Sequence, residues 1–187
     1  MRLFFAVELS RDVQSALGKL RPPDGVAWAR DYRWVEPESM HITLAFLGEQ
    51  PPDALATLRR IGTQAAGSSR AGTLTIGGAG AFGPRRAPRV LWVGLQGDLR
   101  PLEELQAQLA SNVRGSGFRL EEDRAFSPHI TLARRRTVAD SGVPPAWPPS
   151  RPPGPLRVPL QYLTLFQSQL RPSGSRYTAL DRFPVGA

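Results

Sequence analysis

The sequence predicts an α+β fold, a bilobal domain in which two mostly antiparallel sheets face a central cleft with helices outside. Two observations predict it. The pentapeptide His-Ile-Thr-Leu-Ala occurs twice, at 41–45 and 129–133, and the chain's two histidines, His41 and His129, open the two copies. The elements around each copy also repeat: each half offers a helix, a strand carrying His-x-Thr, and flanking strands. At 187 residues the chain has room for one domain, 1–187, built as two small lobes sharing a cleft.

Each element has a local reason. Residues 2–7 are apolar and alternate weakly, which predicts a strand. That run is short and is followed by Glu8, Arg11 and Asp12, so it is expected to be neither a signal peptide nor a membrane span. Ser10 is a natural N-cap for a helix over 11–20 that Pro22-Pro23 ends. Val26 to Val35 is expected as strand with a turn near Asp31, and the first motif strand follows, closed by Gly48. Leu55, Leu58 and Ile61 fall at helical spacing within 53–66, and Gly and Ser at 67–69 stop that helix. Thr73–Ile76 and Arg89–Leu95 are expected strands, with the Gly-rich segment between them, including Phe82 and Arg85-Arg86, as a loop. Leu102, Leu105 and Leu109 line one side of a helix over 101–113. The second motif strand starts after Pro128. The Pro-rich stretch 137–155 has no periodicity and is expected as a surface loop. Leu156–Leu170 and Arg176–Phe183 alternate and predict a closing hairpin that turns at Pro172-Ser173-Gly174.

The motif carries the chemistry. Successive side chains of a strand point to opposite faces. His41, Thr43 and Ala45 are therefore expected on one face, and Ile42, Leu44 and Phe46 on the other. His129, Thr131 and Ala133 stand likewise against Ile130 and Leu132. Each copy presents an imidazole and a hydroxyl roughly 7 Å apart along the strand. Two imidazoles can divide general acid and general base work at neutral pH. Threonine hydroxyls can donate to phosphate oxygens. The set suits in-line displacement at phosphorus. Two histidines without cysteine are too few for a usual zinc site, so no metal is expected.

The absence of cysteine excludes a disulfide framework and thiol chemistry. The formal net charge is +8, and Lys19 is the one lysine, so the positive charge is nearly all arginine. Arginine forks match phosphate oxygens, which agrees with a nucleic-acid partner. The same excess follows from a GC-rich coding bias, so charge alone does not establish RNA binding.

The double His-x-Thr pattern resembles the two-histidine phosphoesterase superfamily, and the flanks resemble its RNA 2′,3′-cyclic phosphodiesterase family, also called the 2′–5′ RNA ligase family. These flanks are Met1 to Val7, Arg33-Trp34-Val35 with Pro37, Phe46-Leu47-Gly48, Arg89-Val90-Leu91-Trp92, Ser127 to Arg134, and Leu163 to Tyr177 with Ser168 and Gly174. Gln167 departs from the acidic residue the family often carries before that serine. The resemblance implies a pseudo-two-fold domain that hydrolyses a terminal ribose 2′,3′-cyclic phosphate to a 2′-phosphate. It also implies reversible 2′–5′ RNA ligation by the same machinery, with an RNA 5′-hydroxyl in place of water, without ATP or another cofactor.

It implies His129 as general base and His41 as general acid, with Thr43 and Thr131 on the phosphate oxygens. It points to Arg134 as the cation at the phosphate. Strict alternation from His129 points instead to Arg135, unless the strand bulges. Phe5 and Trp34 are candidate base platforms. The expected partner is RNA ending in a cyclic phosphate, met by a cytoplasmic monomer without membrane association. Two other readings stay open: action on small cyclic nucleotides, and a non-catalytic RNA-binding module.

Overall fold

The computed structural model describes residues 1–84, 87–121, 125–136, 155–171 and 174–186. In chain order its elements are β1 (Arg2–Glu8), α1 (Arg11–Gly18), β2 (Tyr32–Trp34), β3 (His41–Glu49), α2 (Ala54–Gly67), β4 (Thr73–Phe82), β5 (Val90–Gln96), α3 (Arg100–Gly115), β6 (His129–Arg135), β7 (Arg157–Pro159), β8 (Tyr162–Arg171) and β9 (Gly174–Pro184). Ser10 caps α1 as expected, its side-chain oxygen accepting from the Val13 amide. The Pro-rich stretch over 137–154, the Arg85-Arg86 pair and Pro172-Ser173 lie outside the described residues.

The strands run in the order β7-β4-β5-β6-β3-β1-β8-β9, every pair antiparallel, with β2 added along β6. The α+β class holds, and four strands of that order lie on each side of the β3–β6 junction. The two expected sheets are joined into one. Ile42 pairs with Ile130 at the junction, and the motif strands then diverge, β3 to β1 and β6 to β5.

The larger of two buried clusters among the described residues lies behind both halves. Ile42, Ile130, Val93 and Leu165 from the sheet meet Leu58 and Ile61 of α2 and Leu105 and Leu109 of α3. Each of these side chains is buried, and full burial of a Leu or Ile contributes about 1.5–3 kcal/mol. That asymmetry of faces holds the helices behind the sheet and leaves the opposite face for the motif's polar side chains.

Three segments differ from expectation. Ala27–Asp31 is a 3₁₀ turn rather than strand. It folds the Trp28 ring against Tyr32 and Trp34, at centroid distances of 6.0 and 6.2 Å. The Gly-rich segment is not a loop, because β4 runs through it to Phe82. Gly80 pairs with Trp92, and a Cβ at Gly80 would overlap the indole, so the glycine makes room for a large ring on the neighbouring strand. The stretch 156–170 is broken between β7 and β8. There the Leu160 amide donates to the Gly72 carbonyl, and the chain passes from the β4 edge of one half to β1 in the other.

Candidate active site

The Ile42–Ile130 pair fixes the relation of the two motifs. The strands run antiparallel there, so the His41 end of one motif points toward the Thr131 end of the other, and the Thr43 end toward His129. Directly opposite side chains share a face, with Cβ atoms about 4.5–5.5 Å apart. All four side chains are half-buried, not sealed in the core.

Both imidazoles are held in the same way. His41 Nδ1 lies 2.7 Å from the Ser39 carbonyl, and His129 Nδ1 lies 2.7 Å from the Ser127 carbonyl. A carbonyl oxygen only accepts, so Nδ1–H donates in both, and Nε2 is the nitrogen whose proton can be exchanged. The sequence repeat therefore begins earlier than the pentapeptide. Ser39 and Ser127 occupy the same place two residues before each histidine. A short 3₁₀ turn, Pro37–Ser39, aims the first of these carbonyls.

A bulge recurs at the fourth motif residue. The register of β1 on β3 skips Leu44, and that of β5 on β6 skips Leu132. An extra residue re-aims everything after it. Ala45 is consequently buried, correcting the expectation that it shares the His41 face, and Phe46 takes its place there against Phe4. In β6 the same bulge brings Arg134, exposed, to the motif face, where its charge reaches His41. Arg135 pairs with Tyr32 and acts electrostatically on that buried phenol, on the opposite face. Strict alternation, which favoured Arg135, fails because of the bulge. The carbonyls at the two bulges are both satisfied, Leu44 by Gln106 Nε2 of α3 and Leu132 by the Val35 amide.

The aromatic surroundings were largely missed from sequence. Phe5 is fully buried in the core beside Phe183, which removes it as a base platform. Its neighbour Phe4 is the residue at the site, with its ring 4.9 Å from His41. Tyr177 meets His41 edge-on at 5.1 Å, and Phe166 stacks on Phe4. Phe82 meets His129 edge-on at 4.9 Å, with Trp92 at 6.3 Å. Trp34 is half-buried against Trp28, and its Nε1 donates to the Ala29 carbonyl. The signal for Phe4 was present in the weak alternation of β1, read one residue out of phase.

The electrostatics of His41 follow from its surroundings. Burial pushes the His41 pKa down to about 4, helped by the charges of Arg134 and His129 and opposed by the Ser39 carbonyl. His41 is therefore neutral at pH 7. Glu8 is its cross-strand neighbour on β1. The Glu8 carboxylate accepts from Thr164 Oγ1 at 2.6 Å and Arg182 Nε at 2.7 Å. Burial pushes Glu8 up, but these bonds and the Arg182 charge outweigh it and keep it ionised. Among the described residues no three of His, Cys, Asp or Glu converge as metal ligands.

Residues 10–171 match the profile of the 2′-5′ RNA ligase superfamily. The chain belongs to that superfamily. Within it, the chain is 34% identical over 192 residues to an RNA 2′,3′-cyclic phosphodiesterase of Thermus thermophilus, covering 99% of this chain and 90% of the relative. It is 31% identical over 190 residues to the Escherichia coli RNA 2′,3′-cyclic phosphodiesterase, covering 98% and 96%. The fold is similar to that of E. coli LigT in its apo form, with a TM-score of 0.80 at 28% identity, covering 100% of this chain and 98% of that one. The E. coli LigT complex with 3′-AMP is similar too, with a TM-score of 0.79 at 29% identity over the same shares.

Proposed function

We propose that this superfamily member hydrolyses a ribose 2′,3′-cyclic phosphate at an RNA 3′ end to a 2′-phosphate, as the names of its relatives suggest. The observation that supports the reading is the antiparallel junction at Ile42–Ile130, which joins the two His-x-Thr strands, with the charges of His129 and Arg134 acting on His41. His129 Nε2 takes a proton from water as the water oxygen bonds to phosphorus. The bond from phosphorus to the ribose 3′ oxygen breaks, and His41 Nε2–H delivers a proton to that oxygen. Thr43 and Thr131 donate to the non-bridging oxygens, and Arg134 offsets the charge that grows there. With an RNA 5′-hydroxyl attacking phosphorus in place of water, the same displacement breaks the bond to the ribose 3′ oxygen and forms a 2′–5′ phosphodiester. No described helix is long and apolar enough to cross a membrane. The reading is of one domain, 1–187, acting as a cytoplasmic monomer.

His41 must hold a second proton to act as the acid, yet it is neutral in the free site at pH 7. An anionic phosphate supplies the missing charge and neutralises Arg134, so His41 is protonated as substrate binds. The same low pKa favours one second reading, with His41 as base and His129 as acid.

The test incubates the protein, in EDTA, with a short RNA ending in a 2′,3′-cyclic phosphate and identifies the terminal phosphate. A 2′-phosphate that disappears in His41→Ala and His129→Ala is the expected result. A 3′-phosphate reverses the leaving group. RNA bound without turnover favours the binding module, and turnover of mononucleotides alone favours a small cyclic nucleotide substrate.

A further inference from the structure

The register of β2 on β6 sets Arg33 directly opposite Arg134. Such neighbours project from the same face, with Cβ atoms about 4.5–5.5 Å apart. Both arginines are exposed, and among the described residues neither forms an ion pair. Like charges placed directly opposite destabilise a sheet, so this pair is favourable chiefly when anions occupy it. We infer that Arg33 binds the internucleotide phosphate next to the reacting one, so that the site selects RNA ends over mononucleotides.

The inference rests on the proposed hydrolysis of RNA ends and names a specificity residue for it. Two observations divide the labour between the arginines. The charge of Arg134 reaches His41, whereas Arg33 is absent from the groups that shift it. Arg33 instead extends toward the other half. Its Cδ is the nearest atom, at 3.9 Å, to a Cβ built on Gly174, the first residue of β9. On the same strand Tyr177 touches His41. Arg33 thus stands beside Arg134 on the motif face and reaches toward β9, one arginine away from the phosphate that Arg134 serves. A mononucleotide cyclic phosphate offers a single anion and leaves Arg33 without one. An RNA end brings a second phosphate, which a guanidinium fork can grip through two hydrogen bonds.

The experiment compares a dinucleotide 2′,3′-cyclic phosphate, the same dinucleotide with a neutral methylphosphonate linkage, and a mononucleoside 2′,3′-cyclic phosphate. For Arg33→Ala, kcat/KM on the natural dinucleotide should fall by about 10-fold or more, the scale of one charge-assisted contact. It should stay within about 2-fold on the other two substrates, which lack that contact. Binding of the dinucleotide 2′-phosphate, followed by calorimetry against salt, should lose about 0.7 from its slope, one phosphate's share on a single strand. Arg33→Lys, which keeps the charge, should retain that slope. Equal losses on all three substrates, or no loss on the natural dinucleotide, overturn the inference. If the protein turns over none of them, the hydrolysis reading fails, and the salt slope of binding still decides the role of Arg33.

Discussion

The two halves carry the same five residues and surround them differently. Each histidine is tethered through Nδ1 to the carbonyl two residues earlier, and each motif bulges at its leucine. Beyond that the halves part. His41 packs against Phe4 and Tyr177 and stands opposite Glu8, while His129 meets Phe82 and Trp92 and stands opposite Gly94. The position that each bulge turns toward the motif face is Phe46 in one half and Arg134 in the other. A duplicated backbone thus sets matching geometry, and the neighbours that differ between the halves give each imidazole its own surroundings.

The largest effect tests whether that difference is functional. His41→Ala and His129→Ala should each lower turnover of the RNA cyclic phosphate by about 10²–10⁴-fold. A substrate with sulfur in place of the 3′ leaving oxygen needs no proton on departure. It should restore His41→Ala and leave His129→Ala inactive; restoration of His129→Ala alone would exchange the roles. Next comes the pair of unlike residues after the bulges. Arg134→Ala should reduce kcat by about 10²–10³-fold, as expected for loss of a group that stabilises transition-state charge, and Phe46→Ala should cost much less. Equal losses would mean that the halves are not electrostatically divided.

A smaller effect probes the second half alone. Gly80→Ala drives a Cβ into the Trp92 ring and should destabilise the fold by about 1–3 kcal/mol in urea unfolding. An unchanged midpoint would show that the indole is free to move.

The smallest is a titration. By NMR, the His41 pKa, about 4 in the free protein, should rise in Arg134→Ala and rise again with inorganic phosphate bound. The linkage has a definite sign. The unfolded histidine, with a pKa of about 6.5, binds protons that the native one does not, so stability falls as pH drops from about 6.5 toward 4. Against the non-titrating His41→Gln, the native protein should lose more stability between pH 7 and pH 5. Parallel losses would indicate that His41 titrates normally.

Much of the site was legible because it is written twice. The repeat named His41, Thr43, His129 and Thr131 as a set, and helical spacing located α2 and α3 to within a few residues. The faces beyond the fourth motif residue were not legible. Alternation is a rule for an unbroken ladder, and the bulges are defined by register against β1 and β5, which are distant in sequence. That is why Ala45 and Phe46 exchanged faces and why Arg134, rather than Arg135, came to the motif side. The Gly-rich part of β4 misled for a related reason, since glycine there answers to Trp92 across the sheet and not to a local turn.

By itself, then, the sequence determined the chemistry on offer: two imidazoles, two hydroxyls, an arginine excess and no thiol. Those are properties of side chains and survive any folding. The tertiary structure alone decided which of these groups meet. It did so through the Ile42–Ile130 pair that joins the two motif strands antiparallel, and through the burial and charge that leave His41 neutral. Register and desolvation are relations between strands far apart in the chain, so no stretch of sequence contains them.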